Sequence, residues 1–249
     1  MMELTTPQWI GLAVVALLAG LSKGGVAGLG VLVAALAANV LPAKIATGFV
    51  LPLLVVGDFV GLRMYHRHAE WNQLWRLVPW TIAGVLVGWY TLGRIDDEQA
   101  KLLIGALLVA MVAGHLESRR RAKDRGEPRE EPPSWLAPIA GLLAGFTTLV
   151  ANAAGPVMMV YLLAMRLPKL QFLGTAAWFF CLLNLAKVPF MVHLDLINEH
   201  SLRINALLLP LVIVGALVGR WLVQRMNQTR FEALVLGLSL LAGVKMLVW

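Results

Sequence analysis

Residues 20–30 read Gly-Leu-Ser-Lys-Gly-Gly-Val-Ala-Gly-Leu-Gly, and this stretch interrupts an apolar run that extends from 7 to 41. Five glycines in eleven residues would unwind or tightly turn a helix. Irregular backbone at membrane depth persists only where it is buried in protein or lines a water-filled cavity. A second break, Thr147-Thr148-Leu-Val-Ala-Asn152-Ala-Ala-Gly155-Pro156, interrupts the run 135–165. The sequence therefore predicts two broken helix pairs.

The composition is that of a membrane protein. Of the 249 residues, 59% are hydrophobic and 14% are charged, whereas an average soluble domain has about 25% charged residues. The remaining apolar segments, at 43–65, 77–93, 100–116, 168–193, 204–226 and 231–249, are near the ~20 residues that a membrane-spanning helix needs. We therefore expect an all-α polytopic membrane protein with no soluble catalytic domain.

The chain repeats itself after about 125 residues. Leu17-Leu18-Ala19-Gly20 recurs as Leu142-Leu143-Ala144-Gly145. Proline, glycine and one polar residue then recur in the same order, since Pro42, Gly48 and Asp58 correspond to Pro168, Gly174 and Asn184. Farther along, Pro79-x4-Gly84-x3-Gly88 corresponds to Pro210-x4-Gly215-x3-Gly219. We predict a first membrane repeat at 1–116, a charged, Pro-rich linker at 117–134, and a second membrane repeat at 135–249. Each repeat holds one broken or re-entrant pair and three transmembrane helices. The Gly-x3-Gly pairs are expected to serve close helix packing.

The basic residues predict the orientation of the chain in the membrane. If each broken pair enters and leaves on one side, 14 of the 21 Lys and Arg residues, including those of the linker, fall on one side and five on the other. Cytoplasmic loops collect such residues, so the linker is expected in the cytoplasm and both termini in the periplasm of a bacterial inner membrane. The second repeat is then inverted relative to the first. Inverted repeats provide many transporters with two interchangeable facings around one central site.

The first break is a candidate anion site. A helix that resumes after the break presents unpaired N–H groups near Gly24 and Gly25, and Lys23 adds a positive charge beside them. The alternative for Lys23 is that its ammonium extends to the membrane surface. In the second break, Thr148 and Asn152 could donate hydrogen bonds to a bound oxyanion, or could cap the same helix end.

Polar residues inside membrane helices complete the predicted site, because such residues are costly there and usually functional. Asn184 and Lys187 are three residues apart and share a helix face. Asp58, the repeat equivalent of Asn184, is a candidate carrier of a coupling proton, a partner carboxylate for a lysine, or part of a capped break. The predicted substrate-binding residues lie at the two breaks or within a membrane helix: Lys23, Gly24, Gly25, Thr148, Asn152, Gly155, Asn184 and Lys187.

Other functional classes lack the residues they require. The five histidines show no metal-site spacing, and the chain has no phosphate loop, nucleophile elbow or His/Cys cluster, so neither an enzyme nor a metal or cofactor is expected. The net charge of +7 arises from loops between membrane segments, where lipid headgroups explain it without nucleic acid.

Together, these motifs resemble the TauE/SafE family of sulfite and organosulfonate exporters. The resemblance is carried by Gly20-x2-Lys23-Gly24-Gly25-x2-Gly28-x-Gly30, Leu51-Pro52 with Asp58, Asn152-Ala-Ala-Gly155-Pro156, and Asn184-x2-Lys187-x-Pro189. It implies transport of sulfite, sulfoacetate, taurine-related sulfonates or comparable small anions. Two alternatives stay open: proton- or cation-coupled anion uptake through Asp58, and a membrane assembly factor that moves no solute. The expected partners are a small anion and the lipid bilayer, and a homodimer is compatible with the sequence.

Overall fold

The computed structural model describes residues 4–26, 28–91, 133–151 and 154–248, with scattered positions between 102 and 120. Most of the predicted segment 100–116, most of the linker and Asn152 lie outside the described residues. The described chain is helical, in the order α1 (Thr6–Lys23), α2 (Gly30–Val40), α3 (Ala43–Tyr65), a 3-10 turn (His66–His68), α4 (Trp71–Thr91), α5 (Leu136–Ala151), α6 (Ala154–Ala164), α7 (Lys169–His193), α8 (Glu199–Arg225) and α9 (Gln228–Val248). The all-α prediction is thereby confirmed, and the first pair is interrupted between Lys23 and Gly30 as expected.

Local sequence explains where the helices begin and end. The Thr5 backbone N–H donates to Gln8 Oε1 at 2.9 Å, which caps the start of α1. The helix ends at Lys23 with Gly24 as its C-cap, and Gly25 follows with a φ of +126°, which is a left-handed conformation that favours glycine. At the start of α8, the Ser201 backbone N–H donates to Asn198 Oδ1 at 3.0 Å.

Several helices match the dimensions of a membrane span. Three of the described segments are long and apolar enough to cross a bilayer: Ile45–His68, Lys169–His193 and Glu199–Arg225. Shorter apolar helices occupy Leu136–Thr148 and Ala154–Ala164, in the second broken pair. These lengths and compositions agree with the predicted multi-pass membrane protein.

The helices form two packing units. Unit 1 contains Met1–Ala69 and Lys169–Phe231, and therefore α1, α2, α3, α7 and α8. Unit 2 contains Glu70–Pro168 and Glu232–Trp249, with α4, α5, α6 and most of α9. Each unit thus combines helices from both of the predicted repeats.

Glycines bring α1 and α8 of unit 1 into backbone contact. A Cβ atom on Gly20 would lie 1.9 Å from the Val212 carbonyl oxygen, and one on Gly215 would lie 2.1 Å from the Leu17 carbonyl oxygen. Only glycine permits such an approach. The predicted packing role of Gly215 is confirmed.

Unit 2 contains the same arrangement between α4 and α5. A Cβ atom on Gly145 would lie 2.1 Å from the Thr81 carbonyl oxygen, and one on Gly84 would lie 2.1 Å from the Leu142 carbonyl oxygen. The packing role predicted for Gly84 is likewise confirmed.

Within unit 1, α3 and α7 are antiparallel. Gly48, near the start of α3, packs against Leu196 just beyond the end of α7. Gly174, near the start of α7, packs against Tyr65 and Ala69 at the end of α3. The middle of each helix therefore lies beside the middle of the other.

Candidate functional site

Asp58 is a buried carboxylate in the middle of α3, and its side chain is 0% exposed. Lys23 Nζ, from the end of α1, lies 2.7 Å from Asp58 Oδ1. Asn184 Nδ2, from α7, donates to Asp58 Oδ2 at 2.7 Å. The structure thus brings together three residues that the sequence marked separately, and each comes from a different helix.

The Lys23 ammonium is mostly enclosed by protein, with a side chain that is 12% exposed. Besides Asp58, it faces the Phe180 ring, whose centroid is 4.7 Å from Nζ. An ammonium over an aromatic face is attracted by the electron-rich ring. Phe180 was not predicted from the sequence, although it precedes Asn184 by four residues and so shares its helix face.

Two glycines beside Asp58 make room for Lys23. A Cβ atom on Gly57 would lie 2.9 Å from Lys23 Cγ, and one on Gly61 would lie 2.9 Å from the Lys23 carbonyl oxygen. Larger residues at these positions would push the end of α1 away from α3. The sequence feature that could have indicated this space is the segment Gly57-Asp58-Phe59-Val60-Gly61, in which glycines lie on both sides of the aspartate.

The backbone after Lys23 forms a tight turn. The Gly24 N–H donates to the Gly20 carbonyl oxygen at 2.8 Å, and the Gly25 N–H donates to the Ser22 carbonyl oxygen at 3.4 Å. In this conformation, both N–H groups are used within the turn, and α2 resumes only at Gly30. The turn therefore places the Lys23 side chain, while a direct contact of Gly24 or Gly25 with substrate stays a prediction.

Tyr65 anchors this turn from the end of α3. Its hydroxyl donates to the Gly24 carbonyl oxygen at 2.8 Å, and the residue is buried. A buried tyrosine needs such a partner for its hydroxyl. Tyr65 was not predicted from the sequence, because a lone tyrosine at a helix end carries no sequence pattern.

Lys187 lies one helical turn beyond Asn184 and is partly buried. It interacts electrostatically with both Lys23 and Asp58. We call Lys23, Asp58, Asn184 and Lys187 the charged cluster. It contains two lysines, one carboxylate and one amide, so it is formally cationic when both lysines are protonated. A buried cationic cluster beside a polar amide can attract a small anion.

The comparisons with known proteins assign the chain to a family. A family model described as sulfite exporter TauE/SafE matches residues 12–246, which is almost the whole sequence. The chain belongs to the TauE/SafE family. The match includes every residue of the charged cluster and both helix breaks. This is a family of membrane transporters, which agrees with the apolar helices of the described chain. No curated protein and no solved structure matched the chain.

The second break of this TauE/SafE protein belongs to unit 2. Thr148 is buried near the end of α5, and the neighbouring Thr147 hydroxyl donates to the Ala144 carbonyl oxygen at 3.3 Å. Gly155 is the second residue of α6, and a Cβ atom there would have no neighbour within 4 Å among the described atoms. The predicted contribution of Asn152 falls outside the described residues. Among the residues that the structure describes, no three His, Cys, Asp or Glu side chains are placed to hold a metal ion.

Proposed function

We propose that this TauE/SafE protein exports small sulfur-containing anions such as sulfite or organosulfonates, and that the charged cluster is the core of its binding site. The buried contact of Lys23 with Asp58 is the observation that carries this proposal. A charged group inside a membrane protein is expensive and is usually retained for function. Structural packing alone would be served by apolar residues at lower cost.

The cluster has the chemistry that a sulfonate or sulfite oxygen requires. Lys23 and Lys187 supply positive charge, and the Asn184 amide supplies N–H donors. Phe180 provides an apolar wall that limits solvent access to the Lys23 ammonium. We propose that Gly24 and Gly25 shape this side of the site. The substrate contacts expected of Thr148, Asn152 and Gly155 stay predictions.

Equivalent contacts support the proposal of an inverted repeat. Gly20 and Gly145, which are repeat equivalents, each pack against a carbonyl oxygen of the paired helix, at Val212 and Thr81 respectively. The positions Thr81 and Val212 are themselves related by the offset that relates Gly84 to Gly215. In addition, the repeat-equivalent helices α3 and α7 run antiparallel, as inversion requires. Two inverted halves would let the transporter open its central site to either side of the membrane by equivalent movements.

Outward movement of an anion is favoured by the membrane potential. Each negative charge that leaves a cell gains about 2.3 kcal/mol per 100 mV of inside-negative potential. An exporter of anions therefore needs no separate energy source. Uptake of the same anions would require a coupling ion, and Asp58 is the residue that could serve it.

Reconstituted protein tests the transport function. Purified protein in liposomes should exchange labelled sulfoacetate or sulfite, and should move sulfate or acetate more slowly. Lys187→Met should abolish most of this exchange, whereas Arg203→Gln, which removes an exposed cation, should leave it unchanged. Lys187 is the better test residue, because neutralising Lys23 would also leave the Asp58 carboxylate without the cation that contacts it.

The rival functions predict different results in the same assay. An assembly factor would transport no anion and would copurify with a stable partner. A coupled uptake system would carry anions only when an inward proton or sodium gradient is present, and Asp58→Asn would abolish that dependence.

We further propose a bacterial inner-membrane location with both termini in the periplasm. In a Cys181→Ala background, a cysteine at residue 200 should react with an impermeant maleimide in whole cells, and one at residue 127 should react only after lysis. The reverse pattern would overturn this topology. A homodimer stays a prediction, which the mass of the purified protein in detergent would test.

A further inference from the structure

Asp58 contacts the same ammonium group to which the proposed substrate anion would bind. Its Oδ1 atom is 2.7 Å from the Lys23 ammonium, so in this conformation the carboxylate is the counter-ion of the lysine. A substrate oxygen that binds the same ammonium therefore brings a second negative charge close to the carboxylate. This inference rests on the proposed function, because it concerns what happens to Asp58 when the anion arrives.

An ionised Asp58 would be poorly placed beside a bound anion. Its carboxylate is fully buried, and a second negative group at the same ammonium would repel it. Uncompensated charge in a buried position is strongly unfavourable, and such a group tends to neutralise. The described titratable groups that interact with Asp58 are Lys23 from α1 and Lys187 and Cys181 from α7.

A proton on Asp58 resolves this conflict with the hydrogen bonds already present. Asn184 Nδ2 can continue to donate to Oδ2, since a protonated carboxyl group retains acceptor capacity. The new O–H on Oδ1 can donate to the substrate anion, next to the Lys23 ammonium. Every group then has a partner of the correct polarity.

We infer that Asp58 takes up one proton from water as the substrate anion engages Lys23, so that the cluster carries two positive charges and binds a dianion together with that proton. The ionised cluster has two lysines and one carboxylate, and therefore matches only a single negative charge. Protonation removes the carboxylate charge, and the two lysines then match a dianion such as sulfoacetate. When the anion leaves, Asp58 returns the proton to water on the exit side and pairs with Lys23 again. The net charge that crosses is one negative charge, so the membrane potential still favours export.

Proteoliposomes can measure anion and proton movement separately. Vesicles loaded with labelled sulfoacetate and a pH-sensitive dye would be diluted into sulfoacetate-free buffer, with the potential clamped by potassium and valinomycin. The sulfonate group stays ionised, so the substrate does not carry protons through the lipid by itself. We expect one proton to leave with each sulfoacetate. Asp58→Asn should reduce the proton-to-anion ratio by at least about tenfold, because an amide cannot carry a proton. Glu199→Gln, at an exposed acid, should leave the ratio unchanged.

The outcomes separate this inference from the proposed function. Anion efflux from wild-type vesicles without proton movement would overturn the inference and leave the transport function standing. Absence of any anion efflux would overturn the transport function, and the inference with it. If Asp58→Asn does not fold, the wild-type ratio decides, together with a monoanion, methanesulfonate. We expect methanesulfonate to exit more slowly than sulfoacetate, and equal rates would contradict the assignment to dianions.

Discussion

Replacing Lys23 by methionine should destabilise the protein by about 3–5 kcal/mol, because it leaves a buried carboxylate without its cation. Lys23 Nζ is 2.7 Å from Asp58 Oδ1, and the Asp58 side chain is 0% exposed, so water cannot replace the lost partner. Replacing both residues, as Lys23→Met with Asp58→Asn, removes the charges together and keeps an acceptor for Asn184. The double variant should lose about 1 kcal/mol or less.

Thermal unfolding in detergent provides the assay, with Cys181 as an internal reporter. It is the single cysteine of the chain and is buried, so a thiol-reactive dye becomes fluorescent only when the protein unfolds. At about 2–4 °C per kcal/mol for a chain of this size, Lys23→Met should lower the midpoint by about 6 °C or more. The control is Arg203→Met, which breaks the Glu199–Arg203 pair, whose side chains are 80% and 75% exposed. Exposed pairs contribute about 0–1 kcal/mol, so this midpoint should change by a few degrees at most.

The decisive result is whether the stability losses of the two single variants add up to the loss of the double variant. If the double variant lost as much stability as the sum of Lys23→Met and Asp58→Asn, the two side chains would not interact, and the buried ion pair would be refuted. Equal shifts for Lys23→Met and Arg203→Met would also contradict it, since the structure buries the first pair and exposes the second.

Two other substitutions test features around the site. Gly20→Ala should strongly destabilise the protein in the same unfolding assay, because its Cβ would lie 1.9 Å from the Val212 carbonyl oxygen. The control is Gly237→Ala, which should not destabilise the protein, because its Cβ would have no neighbour within 4 Å. Similar midpoints for both variants would contradict the close packing of α1 and α8. Tyr65→Phe removes the hydroxyl that donates to the Gly24 carbonyl oxygen and should cost about 0.5–1.5 kcal/mol, with a larger fractional loss in the sulfoacetate exchange rate. Unchanged exchange would show that the anchored turn does not position Lys23.

Hydropathy predicted the helices well because their ends are marked by local chemistry. The segment 43–65 was expected from the apolar run between Pro42 and the basic residues beyond Tyr65, and α3 spans Ala43–Tyr65. The break after Lys23 was expected from its glycines, and Gly25 indeed has a φ that favours glycine. Such signals lie within a few residues of the feature that they determine.

The partners of each helix could not be predicted in the same way. The Gly-x3-Gly pattern at Gly215 indicated close packing, but it contains no information on which helix approaches. The pairing of α8 with α1 depends on the matching surface at Leu17 and Gly20. The same limit applied to the site: Lys23, Asp58 and Asn184 were each selected as polar groups in a membrane, while their mutual contact depends on three helices meeting.

The contact between Asp58 and Asn184 explains why the two repeats differ at this position. The residues are repeat equivalents, and the antiparallel packing of α3 and α7 places their side chains in direct contact, at 2.7 Å. If both were aspartate, two carboxylates would meet there and would have to share a proton. The amide of Asn184 avoids this repulsion and leaves Asp58 available to pair with Lys23. The difference between the repeats is therefore a requirement of the charge balance of the cluster.

Asn184→Asp tests this explanation. The variant should bind sulfoacetate more weakly near neutral pH, because the added carboxylate repels the anion even when it shares a proton with Asp58. Binding should recover as the pH is lowered from neutral, since the second proton then neutralises the pair. Stabilisation of the purified protein by sulfoacetate measures this, and Asn184→Ser, which adds no charge, is the matched control. If Asn184→Asp bound the anion as tightly as the parent protein at neutral and lower pH, the carboxylate at Asp58 would not face the bound substrate, and the charged cluster would not be the anion site.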